Sequence, residues 1–73
     1  MARKVFHVVP NGTSWQVKHN GKVLSNHTLK SNAIESGQSV AKANEPSQLV
    51  VHRADGTIEF EYTYGNDPYP PLG

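Results

Sequence analysis

Short runs of β-branched and aromatic residues alternate with turn dipeptides along this chain, and one central segment changes to a three- and four-residue period. Lys4 to Val9 reads Lys-Val-Phe-His-Val-Val and stops at Pro10-Asn11-Gly12, which predicts a strand and then a turn. Apolar groups fall on both of its faces, Phe6 and Val8 on one and Val5 and Val9 on the other, so the strand is expected at the centre of its sheet. Trp15 to His19 alternates, with Trp15 and Val17 opposite Gln16 and Lys18. Asn20-Gly21 suits the two positive-φ positions of a type I′ turn, and Val23 to His27 returns as a third strand. The short connections make these three an antiparallel meander.

From Leu29 to Asn44, the residues Ala33, Ile34, Gly37, Val40, Ala41 and Asn44 mark one helical face. Thr28 or Ser31 is expected to cap its start, and Glu35 and Lys42 suit the helix dipole at the two ends. Gly37 costs up to about 1 kcal/mol against alanine but permits close approach of helix to sheet. Glu45-Pro46 ends the helix, because proline disfavours helical geometry in the residue before it. Gln48 to Arg53 and Thr57 to Tyr64 then read as two strands joined at Asp55-Gly56.

The expected fold is α+β, an antiparallel meander followed by one helix and a C-terminal hairpin, β-β-β-α-β-β, with the helix on one sheet face. Residues 1–64 form the domain and residues 65–73 a Pro/Gly-rich tail. The expected core is Phe6, Val8, Trp15, Val17, Leu24, Ile34, Val40, Ala41, Val50, Ile58 and Phe60. One helix cannot cover a five-stranded sheet on both sides, so the second face is expected to meet water or a partner.

Size and composition narrow the chemistry. A chain of 73 residues makes one small core without a deep enclosed pocket, so no small-molecule substrate is expected. There is no cysteine, hence no disulfide and no thiolate metal site. No apolar stretch approaches the roughly 20 residues of a membrane helix, and a cytoplasmic protein that does not engage a membrane is expected. No nucleophile motif or phosphate loop is present, so no enzyme and no cofactor is implied.

Charge is unevenly placed. The first 34 residues carry Arg3, Lys4, Lys18, Lys22 and Lys30 with no acid, a formal +5, whereas residues 35–73 sum to −4. A net charge of +1 therefore conceals a polarised chain.

Several segments resemble one family of small bacterial and phage proteins. They are His7-Val8-Val9-Pro10, Trp15-Gln16-Val17-Lys18, Lys30-Ser31-Asn32-Ala33-Ile34 and Leu49-Val50-Val51-His52 with Asp55-Gly56. Tyr64-Gly65-Asn66-Asp67-Pro68-Tyr69-Pro70-Pro71 is the most specific of them. In that order, over nearly the whole chain, they resemble the domain of unknown function DUF2188. The resemblance implies a whole-chain domain and supplies no activity, substrate or catalytic residue.

Two functional expectations follow. The first is a non-enzymatic interaction module that binds a protein partner or a second copy through the exposed sheet face or edge, with Val5, Val9, Val51 and Tyr69 as contacts. The alternative is a nucleic-acid-binding module in which Arg3, Lys4, Lys18, Lys22 and Lys30 contact phosphates and Trp15 stacks on a base. Against the alternative, Glu59 and Glu61 are placed to neutralise Lys4 or Lys18 across the sheet, and Trp15 to join the core. His7, His19, His27 and His52 are read as half-buried strand residues rather than metal ligands. Asp67-Pro68-Tyr69-Pro70-Pro71 resembles a polyproline ligand, or else a tail laid over its own domain with Tyr69 docked on it.

Overall fold

The computed structural model describes residues 3–65. Its elements are β1 (Lys4–Asn11), β2 (Ser14–His19), β3 (Lys22–His27), α1 (Lys30–Ala43), β4 (Ser47–His52) and β5 (Ile58–Tyr64). The order β-β-β-α-β-β is the expected one. Beyond Gly65, the Pro-rich tail and Tyr69 lie outside the described residues.

The strands form one sheet in the order β3-β2-β1-β4-β5. β1 is central, as its two apolar faces predict. The sheet is mixed, which corrects the antiparallel expectation: β1 and β4 pair in parallel, while the meander and the β4–β5 hairpin are antiparallel. Both hairpin signals act as turns. Asn20 and Gly21 have φ of 53° and 78°, as a type I′ turn requires. At the second, Gly56 N–H donates to the Arg53 carbonyl at 2.9 Å and Arg53 N–H to the Thr57 carbonyl at 2.7 Å. Asp55 accepts from the backbone N–H and the hydroxyl of Thr57, and these bonds hold its carboxyl below the usual range.

The helix packs on one face, over Phe6, Val8, Val17, Leu49 and Val51, with Ala33 and Ala41 as its own buried contacts. Trp15, Ile34, Val40, Tyr62 and Tyr64 border this core. Gly37 sits at the point of closest approach. A Cβ there would lie 2.9 Å from Leu49 Cδ1 and 3.2 Å from Val8 Cγ2. Its missing side chain thus lets α1 settle on the β1–β4 seam. The C-terminal end of the helix is tied to β4 by Ser47, whose buried hydroxyl donates to the Ala41 carbonyl. Asn44 closes the last turn by donating its side-chain amide to the Val40 carbonyl at 2.8 Å. At the other end Leu29, not Thr28 or Ser31, occupies the capping position, and no side chain caps it. Lys42 stands in the last turn as the dipole favours, and no acid stands in the first.

The largest corrections concern facing. Val51 pairs with Val8 and is 0% exposed beneath the helix, so it cannot serve the open face together with Val5 and Val9. Val50 takes the open-face position instead and is buried by its neighbours there, away from the helix-side core. Leu24, Ile58 and Phe60 are exposed rather than core, because β3 and β5 are the sheet edges. Each edge strand also carries a bulge: Leu24 and Glu59 are left without a residue opposite.

Replacing Gly37 by valine should destabilise the domain by about 1–3 kcal/mol through overpacking. Adding Leu49→Ala to that variant should cost less than the two single losses together, because the alanine vacates the space that the new side chain needs. Urea midpoints of the four chains check this, and additive losses would contradict the contact.

Candidate functional site

The sheet face opposite the helix carries a continuous row of side chains. Register places Val23, Lys18, His7, Val50 and Glu61 at one level across all five strands. The face is polar for the most part, with Gln16 bonded to Asn26 at 2.9 Å and Gln48 bonded to Glu61. The apolar face expected from Val5, Val9 and Val51 therefore becomes half-buried Val5 and Val9 with buried Val50, grouped around His7, and exposed Val23 at the β3 edge.

His7 and His52 meet on this face. His7 Nδ1 lies 3.0 Å from His52 Nε2, and His52 Nδ1 lies 3.0 Å from the Gly56 carbonyl. A carbonyl only accepts, so His52 carries its proton on Nδ1, and His7 must then donate from Nδ1 to the bare His52 Nε2. The ring centroids are 5.3 Å apart, which is the N···N distance plus one ring radius at each end, so the bond is straight. In the neutral pair His7 Nε2 is left as the free acceptor. One added proton fits there. Burial, then the charges on His52, His19 and Lys18, hold His7 below its ordinary value of 6.5. Lys18 faces it from β2 and His52 from β4, with Glu61 one strand further on the same row.

The other two histidines are occupied separately. His19 stacks on Phe6 with centroids 4.4 Å apart, on the helix side, and donates from Nδ1 to the Val5 carbonyl at 2.9 Å. His27 Nε2 meets the Ser25 hydroxyl at 2.9 Å beside an open groove of about 560 Å³, lined also by Asn32, Glu35 and Ser39. Among the described residues no carboxylate bonds to His27, so this serine–base pair lacks the third group that would orient the base. No three His, Asp or Glu side chains converge on a metal position among the described residues.

The basic residues do not form one surface. Arg3 donates to the carbonyls of Tyr64, at 2.9 Å, and Ser47, clamping the start of β1 to the end of β5. Lys30 pairs with Glu59 and lies 4.9 Å above the Trp15 ring. Lys18 is on the open face, whereas Lys4 and Lys22, by register with Phe6 and His19, are on the helix side. Trp15 packs against the core. The expected pairing of Glu59 and Glu61 with Lys4 or Lys18 is replaced by Glu59–Lys30 and Glu61–Gln48.

Of the exposed large apolar groups, Val23 and Leu24 lie on β3 and Ile58 and Phe60 on β5, while Leu29, the most exposed, stands at the start of the helix. On its helix side β5 also presents an aromatic row. Phe60 meets Tyr62 edge-on at 5.3 Å, and Tyr62 stacks on Tyr64 at 6.2 Å. Lys42 lies 5.8 Å over the Tyr64 ring, whose hydroxyl is pushed up by burial. Sequence alternation exposes this row, but edge position, which decides its exposure, is non-local.

The model of the family DUF2188, described as an uncharacterized protein conserved in bacteria, matches residues 6–64. The chain belongs to that family. No curated protein and no solved structure matches it. No helix among the described residues is long and apolar enough to cross a membrane.

The depressed His7 fixes a sign for the pH response. Below about 6.5 the unfolded chain binds more protons than the folded one, so this contribution to stability rises with pH through that window and is lost as pH falls. His7→Gln should flatten the fall in urea midpoint between about pH 7 and pH 5.5. An unchanged slope would contradict the assignment.

Proposed function

We propose that this DUF2188 chain is a non-enzymatic self-association module whose contact surfaces are the two edges of its sheet, β5 of one copy meeting β3 of the next. The observation that carries the reading is the placement of exposed apolar side chains. Leu24 is 46% and Ile58 52% exposed, on opposite edges. On the face opposite the helix, by contrast, Val5, Val9 and Val50 are half-buried or buried among polar groups that bond to one another. An unpaired edge is itself a template for another strand.

Strand direction favours this joint. β3 runs with β1 and β4, and β5 runs against them. Two copies in the same orientation therefore bring β5 and β3 together antiparallel, with both helices on the same side. Charge selects it over its symmetric rivals. The β3 edge belongs to the half of the chain without acids and carries Lys22, whereas β5 carries Glu61, beside a Glu59 already paired with Lys30. A β5–β5 joint would oppose carboxylates, and like charges directly opposite are destabilising. The joint is heterologous, so it can extend or close into a ring. The bulges at Leu24 and Glu59 shorten the stretch available for pairing and favour a weak, concentration-dependent association. The scatter of the basic residues, with Arg3 and Lys30 already engaged, supports this reading over nucleic-acid binding.

Sedimentation equilibrium should show a mass that rises with protein concentration and falls with added salt. Glu61→Lys and Lys22→Glu should each weaken association several-fold, and mixing the two variants should restore one joint between them. A monomer at every concentration up to about 1 mM, or variants that associate like the parent chain, would overturn the proposal.

A further inference from the structure

We propose that His7 and His52 form a two-histidine chelate for a divalent first-row cation of the copper–zinc end of the series, held on the sheet face opposite the helix with water in its remaining positions. The inference is independent of edge pairing, since both residues stand on the inner strands β1 and β4.

Three observations lead to it. The first is the bite. Register sets His7 opposite Val50, and His52 is the next residue of β4 on the same face. Their nitrogens, His7 Nδ1 and His52 Nε2, are 3.0 Å apart. Two metal–nitrogen bonds of about 2.0–2.1 Å span about 2.9 Å at a right angle and about 3.3 Å at the tetrahedral angle. The observed separation falls between these, so the strands need not move. Only ring direction has to change. The nitrogens now point at each other, and turning each lone pair by about 40° toward solvent makes the two converge on one ion. The second observation is what stands behind the ligands. His52 donates from Nδ1 to the Gly56 carbonyl at 3.0 Å. That bond keeps Nε2 bare and fixes the ring, as the partners behind metal-bound imidazoles do. Half-buried Val5 and Val9 and buried Val50 stand around His7 and limit the water that competes for the nitrogens.

The third is proton balance. In the neutral pair the hydrogen on His7 Nδ1 fills the gap, and His7 Nε2 is free. On binding, that hydrogen passes to Nε2 and the cation takes its place, so both imidazoles stay neutral and no proton is lost. The donor set selects the ion. Imidazole suits copper, nickel and zinc rather than magnesium or calcium, and copper(II) binds most tightly of these. No third His, Asp or Glu side chain joins the pair among the described residues, so water completes the coordination. Lys18 faces His7 from β2 and opposes the added charge, with Glu61 of β5 further along the same row. A bound ion ties β1 to β4 across their parallel seam, from the side that the helix does not cover.

The test uses the full chain, stripped of metal and dilute enough to be monomeric, titrated with Cu2+ alone and separately with Zn2+. Cu2+ is expected to bind one to one, to show two nitrogen ligands by electron paramagnetic resonance, and to broaden the ring signals of His7 and His52 first. Zn2+ should shift the same rings and raise the thermal midpoint. His7→Gln and His52→Gln should each weaken binding about ten-fold or more. His27→Gln should leave it unchanged, and Lys18→Gln should tighten it a few-fold by removing the facing charge. Backbone amide spectra report whether each variant is folded, and the spectra of the parent chain decide the site where one is not. Broadening centred on His19 or His27 would overturn the proposal. So would a copper spectrum with a single nitrogen ligand, or a folded His7→Gln chain that binds as tightly as the parent.

Discussion

The parallel pairing of β1 with β4 is the constraint on which the rest of the structure depends. Antiparallel neighbours can be joined by tight turns, but β4 can reach its place beside β1 only if the chain leaves β3, crosses β2 and β1, and descends on the far side. The helix is that crossing. It must lie on one face, and it does so close enough that position 37 has no room for a side chain. Ser47 then fixes the landing point by bonding the last turn of the helix to the first residue of β4. The two pieces of the chain consequently occupy two halves of one sheet, and Arg3 and Lys30 reach from the first half to β5, bonding the Tyr64 carbonyl and Glu59.

That division gives the surfaces different characters. The face away from the helix is held by lateral bonds, above all the His7–His52–Gly56 chain, whose directions follow from a carbonyl that can only accept. It is a face already satisfied. The edges are the opposite case: they combine unpaired strand with exposed Leu24 and Ile58, with Lys22 on one and Glu61 on the other. An interaction module that joins through its edges uses the groups that folding leaves unfilled. The bulges at both edges moderate what would otherwise be an aggregation-prone surface.

Much of the local structure was legible in the sequence. The six elements, both hairpin turns, the centrality of β1 and the role of Gly37 all rest on short-range signals: alternation, turn dipeptides and an apolar run on both faces. What was not legible depends on partners distant in the chain. Leu49-Val50-Val51 is apolar throughout, so its facing cannot be read from alternation, and only pairing with Val8 shows that Val51 is beneath the helix. Ile58 and Phe60 look like core residues until β5 proves to be an edge. Arg3 looks like a free cation, but Tyr64 and Ser47 claim it from far along the chain. The histidine pair joins positions 45 residues apart, and no spacing rule points to it.

The most direct test of edge-to-edge association is amide hydrogen exchange followed over a range of protein concentrations. The account predicts that protection rises with concentration in residues 22–27 and 58–64 together, while amides of β1 and β4 keep the same rates. Protection that is independent of concentration, or that rises on the open face at Val5 to Val9 and not at the edges, would contradict it.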